Sequence, residues 1–192
     1  MWYNLLSMDR PRPKWTRLSK ETVFSSPYFH FSHDSYVLPG GGVGHYHYVD
    51  IAGSAMVVPQ LDSGELVLVR QHRYLMQRPS LEFPAGGVKP GSDFLRTAAE
   101  ELQEEAGYRA ARLEPIGEFA PYNGASNEIC RVFWASGLTA AVSAPESTEE
   151  IQVLALPADE VRRQIAEGSI WDGMTIASFS FFELRGAAAG GR

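Results

Sequence analysis

The chain has 192 residues, 44% of them hydrophobic and 21% charged, an ordinary globular composition that supports one good core rather than two independent ones. Acidic residues outnumber basic ones 23 to 17 for a net charge of −6, which argues against a protein living on nucleic-acid phosphates or an anionic membrane surface. The single Cys130 excludes an intramolecular disulfide, and with no apolar run of membrane-spanning length and no signal-peptide pattern the cytoplasm is the expected address.

Residues 1–14 end in the proline-rich RPRPK and read as an N-terminal arm. From 15 to 50, short alternating runs such as TVF and YFHF are broken by SSP and PGGGVG, a pattern that predicts an antiparallel β-segment. The glycine run lacks a following helix and a phosphate-loop lysine, so it reads as a hairpin connection. On the strand after it His45 and His47 alternate; the spacing raises a metal pair, although half-exposed strand positions are the commoner meaning. SAMVVP (54–59) and ELVLVRQ (65–71), separated by the turn signal DSG, predict a β-hairpin. SLEFP (80–84) then leads into a glycine-rich loop, AGGVKPG (85–91).

The next stretch predicts a helix over 93–106, with Ser92 as N-cap, Asp93 in the first turn and Gly107 as the C′ residue that ends it. Leu95, Ala99, Leu102 and Ala106 supply an apolar stripe, while Glu101, Glu104 and Glu105 share another face. Like charges at that spacing repel by roughly 0.2–0.5 kcal/mol per pair, so a solvated acidic face needs no function. The same spacing also lets two carboxylates hold one hard divalent cation, and a glycine-rich loop just ahead brings a carbonyl near it. That arrangement suits metal-assisted attack of water on a diphosphate.

Downstream, RLEPIGEF (112–119) and EICRVFWA (128–135) read as strands around the loop PYNGAS, and Cys130 reads as a small core residue in the second. The connection 139–148 is rich in Ala, Ser and Pro. EIQVLAL (150–156) predicts a strand, 157–167 a helix and DGMTIASF the start of a final helix, with 187–192 a disordered tail. Strands divided by a central and a terminal helix indicate an α+β or α/β/α fold.

The stretch from Gly86 to Tyr108 resembles the box of the Nudix hydrolases, G-x5-E-x7-R-E-U-x-E-E-x-G-U with U a bulky apolar residue. Gly86, Glu101, Leu102, Glu104, Glu105 and Gly107 match; Ser92 stands for the first Glu and Glu100 for the Arg, and these two form an ion pair in the family. Arg96, one turn before Glu100, is spaced to pair with that glutamate, without restoring the family geometry. The likeness covers roughly residues 15–185, and SLEFPAGG and VRQHRY are similar to the ADP-ribose and nucleotide-sugar pyrophosphatase branch.

The resemblance implies an α+β fold, a Nudix α/β/α sandwich over 51–186, with the 15–50 segment joining a homodimer. By likeness Glu101, Glu104 and Glu105 and the carbonyl of Ala85 contact Mg²⁺ or Mn²⁺, and Arg73, Glu82 and Glu128 bind substrate. A general base is expected among Glu146, Glu149 and Glu150, with Glu149 favoured by spacing back from Ile151; Glu104 and Glu105 join it as the catalytic residues. In that branch a proline follows the box where Asn123 stands here, with Pro121 two residues earlier, a departure that bears on substrate identity and not on reaction class. The implied activity is hydrolysis of the diphosphate bond of ADP-ribose or a nucleotide sugar, giving a nucleoside monophosphate and a sugar phosphate. The alternative is a nucleotide-sugar-binding domain that lost turnover with the substitutions at Ser92 and Glu100.

Overall fold

The structure is a computed structural model that describes residues 15–143 and 150–186, and the backbone alone of 187–190. The expected arm at 1–14 and the loop residues Glu146 and Glu149 lie outside the described residues, as do the side chains of the expected tail. The chain divides into two compact units, Met1–Ile51 and Ala52–Arg192.

The first unit is the predicted meander. Strands β1 (Thr16–Ser25), β2 (His30–Val37) and β3 (Val43–Asp50) pair antiparallel in the order β1-β2-β3. Gly41 and Gly42, at φ 88° and 89°, close the β2–β3 connection in the left-handed region that glycine adopts without strain. Strand alternation separates two faces. One carries the Lys20–Asp50 and Arg17–Asp34 ion pairs, the other the Ser19–Ser35 hydrogen bond of 2.6 Å and the cluster His33, His45 and His47.

The second unit holds strands β4 (Ser54–Pro59), β5 (Leu66–Arg73), β6 (Arg78–Glu82), β7 (Ala85–Gly87), β8 (Tyr108–Phe119), β9 (Cys130–Ala140) and β10 (Gln152–Leu156). Helix α1 (Phe94–Ala106) follows β7, and α2 (Ala158–Ala166) and α3 (Gly173–Gly190) follow β10. One sheet runs β7-β4-β9-β8, with β4 and β9 parallel, and the other β10-β5-β6. The expected hairpin ladder between residues 54 and 71 therefore does not form: β4 and β5 enter different sheets and meet through side chains, and just past the end of β4 the isolated antiparallel bridge Gln60 to Leu66 spans the turn. Nor are residues 85–91 wholly a loop, because Ala85–Gly87 pair with Ser54–Met56 as an edge strand.

Side-chain alternation along the central strands makes this unit a sandwich. Met56, Val58, Leu66, Leu68, Cys130 and Val132 pack with Val161 of α2 and Phe179 of α3. Their neighbours Ala55, Val57, Val67, Val69, Phe133 and Ala135 pack with Ala98, Leu102 and Ala106 of α1. β4 and the first half of β5 are buried on both faces, which explains the near-continuous apolar runs of SAMVVP and LVLV. The fold is α+β: an α/β/α sandwich with an N-terminal antiparallel β-sheet, as expected.

Candidate active site

Helix α1 is set by its two ends. Its N-cap is Asp93, not Ser92: the Asp93 carboxylate accepts the Arg96 N–H at 2.8 Å, whereas the Ser92 hydroxyl lies 3.3 Å from Thr97 Oγ1. Gly107 ends it as predicted, at φ 72° with its N–H on the carbonyls of Gln103 and Leu102. The buried stripe is Thr97, Ala98, Leu102, Glu105 and Ala106, while Leu95 and Ala99, expected within it, face solvent. The small side chains Ala98 and Ala106 let α1 settle on β4 and β5, and that rotation carries Glu105 inward.

The glutamates meet the strand that precedes the helix. A Cβ built on Gly86 would lie 2.0 Å from Glu101 Oε1, so that carboxylate rests against bare backbone. Glu105 is only 5% exposed, and its carboxylate accepts the Ala85 N–H at 3.0 Å. Two carboxylates one helical turn apart thus contact adjacent residues of β7. Glu104 is half-buried, and its main-chain carbonyl accepts the Ser143 hydroxyl at 2.8 Å. Glu100 pairs with Arg96 at 2.8 Å, the partner its sequence position suggested.

Arg73 and Glu82 are bound to each other. Arg73 donates through both Nε, at 2.8 Å, and Nη2 to the two oxygens of Glu82. The Glu82 side chain is 4% exposed and that of Arg73 46%, so a buried carboxylate is neutralised by a cation that reaches the surface. The hydrogen bond to Glu82 raises the pKa of Arg73 above its ordinary value; the charges of Glu82, Asp172 and Glu105 act in the same direction, against the opposing effect of burial. Arg73 is therefore fully cationic and within electrostatic reach of Glu105.

Glu128, just before β9, accepts the Ser54 hydroxyl at 2.6 Å. Ser54 is paired with Cys130 on one side and Gly87 on the other, which ties Glu128 to the strand that carries Gly86. Glu150 is exposed at the entry to β10. Burial pushes the Cys130 thiol up to about 11, as befits a core residue and not a nucleophile.

Two residues of this neighbourhood escaped the sequence reading. Asp172 caps α3, accepting the Thr175 N–H at 2.7 Å, and lines a cavity of about 300 Å³ with Phe119, Pro121 and Met174. Its N-cap character was legible in DGMT; its approach to Arg73 was not. Ser54 carried no signal, because a lone serine at a strand start is commonplace.

Among the described residues no group of three or more His, Cys, Asp and Glu side chains is arranged to hold a metal ion. Glu101 and Glu105 nevertheless fit a hard divalent cation. Both are carboxylate donors, and glycine at 86 leaves the space that any side chain would fill. Mg²⁺ needs only one or two carboxylates when water and substrate phosphate complete its octahedron.

The model of the NUDIX domain matches residues 51–179. An ADP-ribose pyrophosphatase of Mycobacterium tuberculosis is 31% identical over 164 residues, covering 83% of this chain and 79% of its own. A methanol dehydrogenase activator of Bacillus methanolicus is 28% identical and an ADP-ribose pyrophosphatase of Bacillus subtilis 27%, each covering 88% of this chain and 93% of its own. A solved structure described as an ADP compounds hydrolase superposes with a TM-score of 0.78 at 19% identity, over 92% of this chain and 96% of that one, a likeness of fold.

Proposed function

The chain belongs to the NUDIX family and is a hydrolase of that family, and from that premise we propose that it cleaves the diphosphate bond of a nucleoside diphosphate joined to a second moiety, ADP-ribose or a nucleotide sugar. The products are a nucleoside monophosphate and a sugar phosphate. The observation that carries this reading is the seat of Glu101 on Gly86, with Glu105 anchored beside it by the Ala85 N–H. A solvated acidic face would leave both carboxylates in water; here one is buried and the other is laid against backbone.

Glu101 and Glu105 would hold Mg²⁺ or Mn²⁺, with Glu104 and the Ala85 carbonyl as further contacts. Such a cation, when bound, offsets charge on phosphoryl oxygens and makes water a better nucleophile. The Ala85 N–H holds the Glu105 carboxylate in one orientation before substrate arrives. Arg73 contributes positive charge to the diphosphate, and Glu82 fixes the direction of its guanidinium. Glu128, oriented by Ser54, serves the sugar end. Glu149 is the proposed general base.

We assign the 15–50 segment to a homodimer contact. The exposed Trp15, Leu18, Val23, Phe24 and Val43 on β1–β3 and at their edges support that assignment. No helix among the described residues is long and apolar enough to cross a membrane, and the cytoplasm is the proposed location. A nucleotide-sugar-binding domain without turnover is not favoured, since two of the relatives above are named as pyrophosphatases.

The test is release of phosphatase-sensitive product from ADP-ribose, nucleotide sugars and dinucleoside polyphosphates, with Mg²⁺ and with Mn²⁺, beside Glu105→Gln. The expected result is metal-dependent turnover of a diphosphate-linked compound that disappears in the variant. Turnover unchanged in Glu105→Gln, or no turnover of any compound by folded protein, overturns the proposal.

A further inference from the structure

The histidines of the N-terminal sheet form an arrangement that diphosphate hydrolysis does not use. His33 of β2 stands opposite His47 of β3, with ring centroids 4.3 Å apart, and diagonal to His45. His33 Nε2 and His45 Nδ1 are 3.1 Å apart, in hydrogen-bond contact. On the far edge of the same imidazole, His33 Nδ1 lies 3.9 Å from a carboxylate oxygen of Glu21, its register partner on β1. The order across the sheet is carboxylate, imidazole, imidazole.

We propose that His33 and His45 form a transition-metal site, for Zn²⁺ or a similar imidazole-seeking cation, separate from the carboxylates of α1. Two ligand nitrogens bound to tetrahedral zinc at about 2.0–2.1 Å are about 3.4 Å apart, close to the separation already present. A metal-binding histidine characteristically gives its other ring N–H to a carboxylate, which fixes the tautomer and raises ligand basicity. Glu21, exposed and 3.9 Å away, needs only a side-chain turn to close this hydrogen bond to His33, which leaves the Nε2 lone pair for the ion. His45 is exposed, so its ring can turn and carry its proton on Nε2, directing the Nδ1 lone pair to the metal. His47, stacked on His33, limits the freedom of that ring. Water completes the coordination, since no third side chain among the described residues joins the pair in a ligand set. Ligand chemistry separates the two sites: imidazole nitrogens select Zn²⁺, Ni²⁺ or Cu²⁺, and carboxylates select Mg²⁺ or Mn²⁺.

The experiment uses the full chain, stripped of metal and then saturated with Mg²⁺ to occupy the acidic site. Zn²⁺ is added under calorimetry, with the histidine ring signals followed by NMR. One equivalent of Zn²⁺ is expected to bind, moving the signals of His33 and His45 and leaving those of His30 and His72 in place. His33→Ala and His45→Ala should each weaken binding at least tenfold, and Glu21→Gln about tenfold. Absence of Zn²⁺ binding, binding that leaves the His33 and His45 signals unmoved, or equal affinity in folded variants overturns the proposal. Ring shifts in the unsubstituted protein decide the matter even where a variant loses its sheet.

Discussion

Glu101 Oε1 lies 2.0 Å from the point where the first side-chain carbon of any residue but glycine at position 86 would stand. The carboxylate and the missing side chain occupy the same space. Gly86→Ala should therefore displace Glu101 and leave the rest of α1 in place. A shift of about 1 Å in a positioned group costs about 10²-fold in rate, and that is the expected loss in kcat/KM. Steady-state kinetics beside circular dichroism checks it; a variant of normal rate would show that Glu101 can move aside without consequence.

Arg73 and Glu82 predict an asymmetric double-mutant cycle. Arg73→Ala strands a carboxylate that is 4% exposed and should destabilise the fold by about 3 kcal/mol, the lower end for breaking a buried pair because Arg73 is half in water. Adding Glu82→Gln removes the stranded charge and should recover part of that loss. Urea unfolding of the four proteins measures the coupling.

Gly107→Ala tests the end of α1. The nearest atom to the added methyl is 3.5 Å away, so space is adequate and the cost comes from backbone strain at φ 72°. A loss of about 1–2 kcal/mol is expected by chemical denaturation.

Cys130 predicts an alkaline loss of stability. Its thiol titrates near 11 in the fold because of burial, above the usual thiol range of about 8.5 in the unfolded chain. Its contribution is complete below the unfolded value and is lost as pH rises toward the folded one, since the unfolded chain gives up the proton first. Between pH 7.5 and 10.5 the protein should lose on the order of 2 kcal/mol more than Cys130→Ala does, as read from urea midpoints at each pH.

Local signals in the sequence foretold local features. Gly107 marked the end of α1, the glycine run marked the β2–β3 turn, and the glutamate spacing drew attention to the helix face that meets β7. What failed was information held by distant residues. The DSG turn promised a hairpin, but the partners of β4 are β7 and β9, and no short-range chemistry states which sheet a strand joins. The stripe through Leu95 followed hydrophobicity alone; the observed stripe admits Glu105, whose burial is sustained by a backbone N–H from another element. The bond between Arg73 and Glu82 was likewise hidden, because it forms across the pairing of β5 with β6 and no local spacing states it. The histidine alternation on β3 was visible, but the ring that His45 meets belongs to the neighbouring strand.

The parallel union of β4 with β9 also sets a timetable for the growing polypeptide. Ser54 faces Cys130, about 76 residues later, so the ribosome, adding about 5–20 residues per second, takes roughly 4–15 s to deliver the partner. Throughout that interval the edge of SAMVVP that β9 will cover has no partner strand, and β7 reaches only three residues of the other edge, so the apolar ribbon is able to stick to its counterpart on a neighbouring nascent chain. Yield in a cell should thus depend on chaperone supply and translation speed more than the finished molecule's equilibrium stability would suggest.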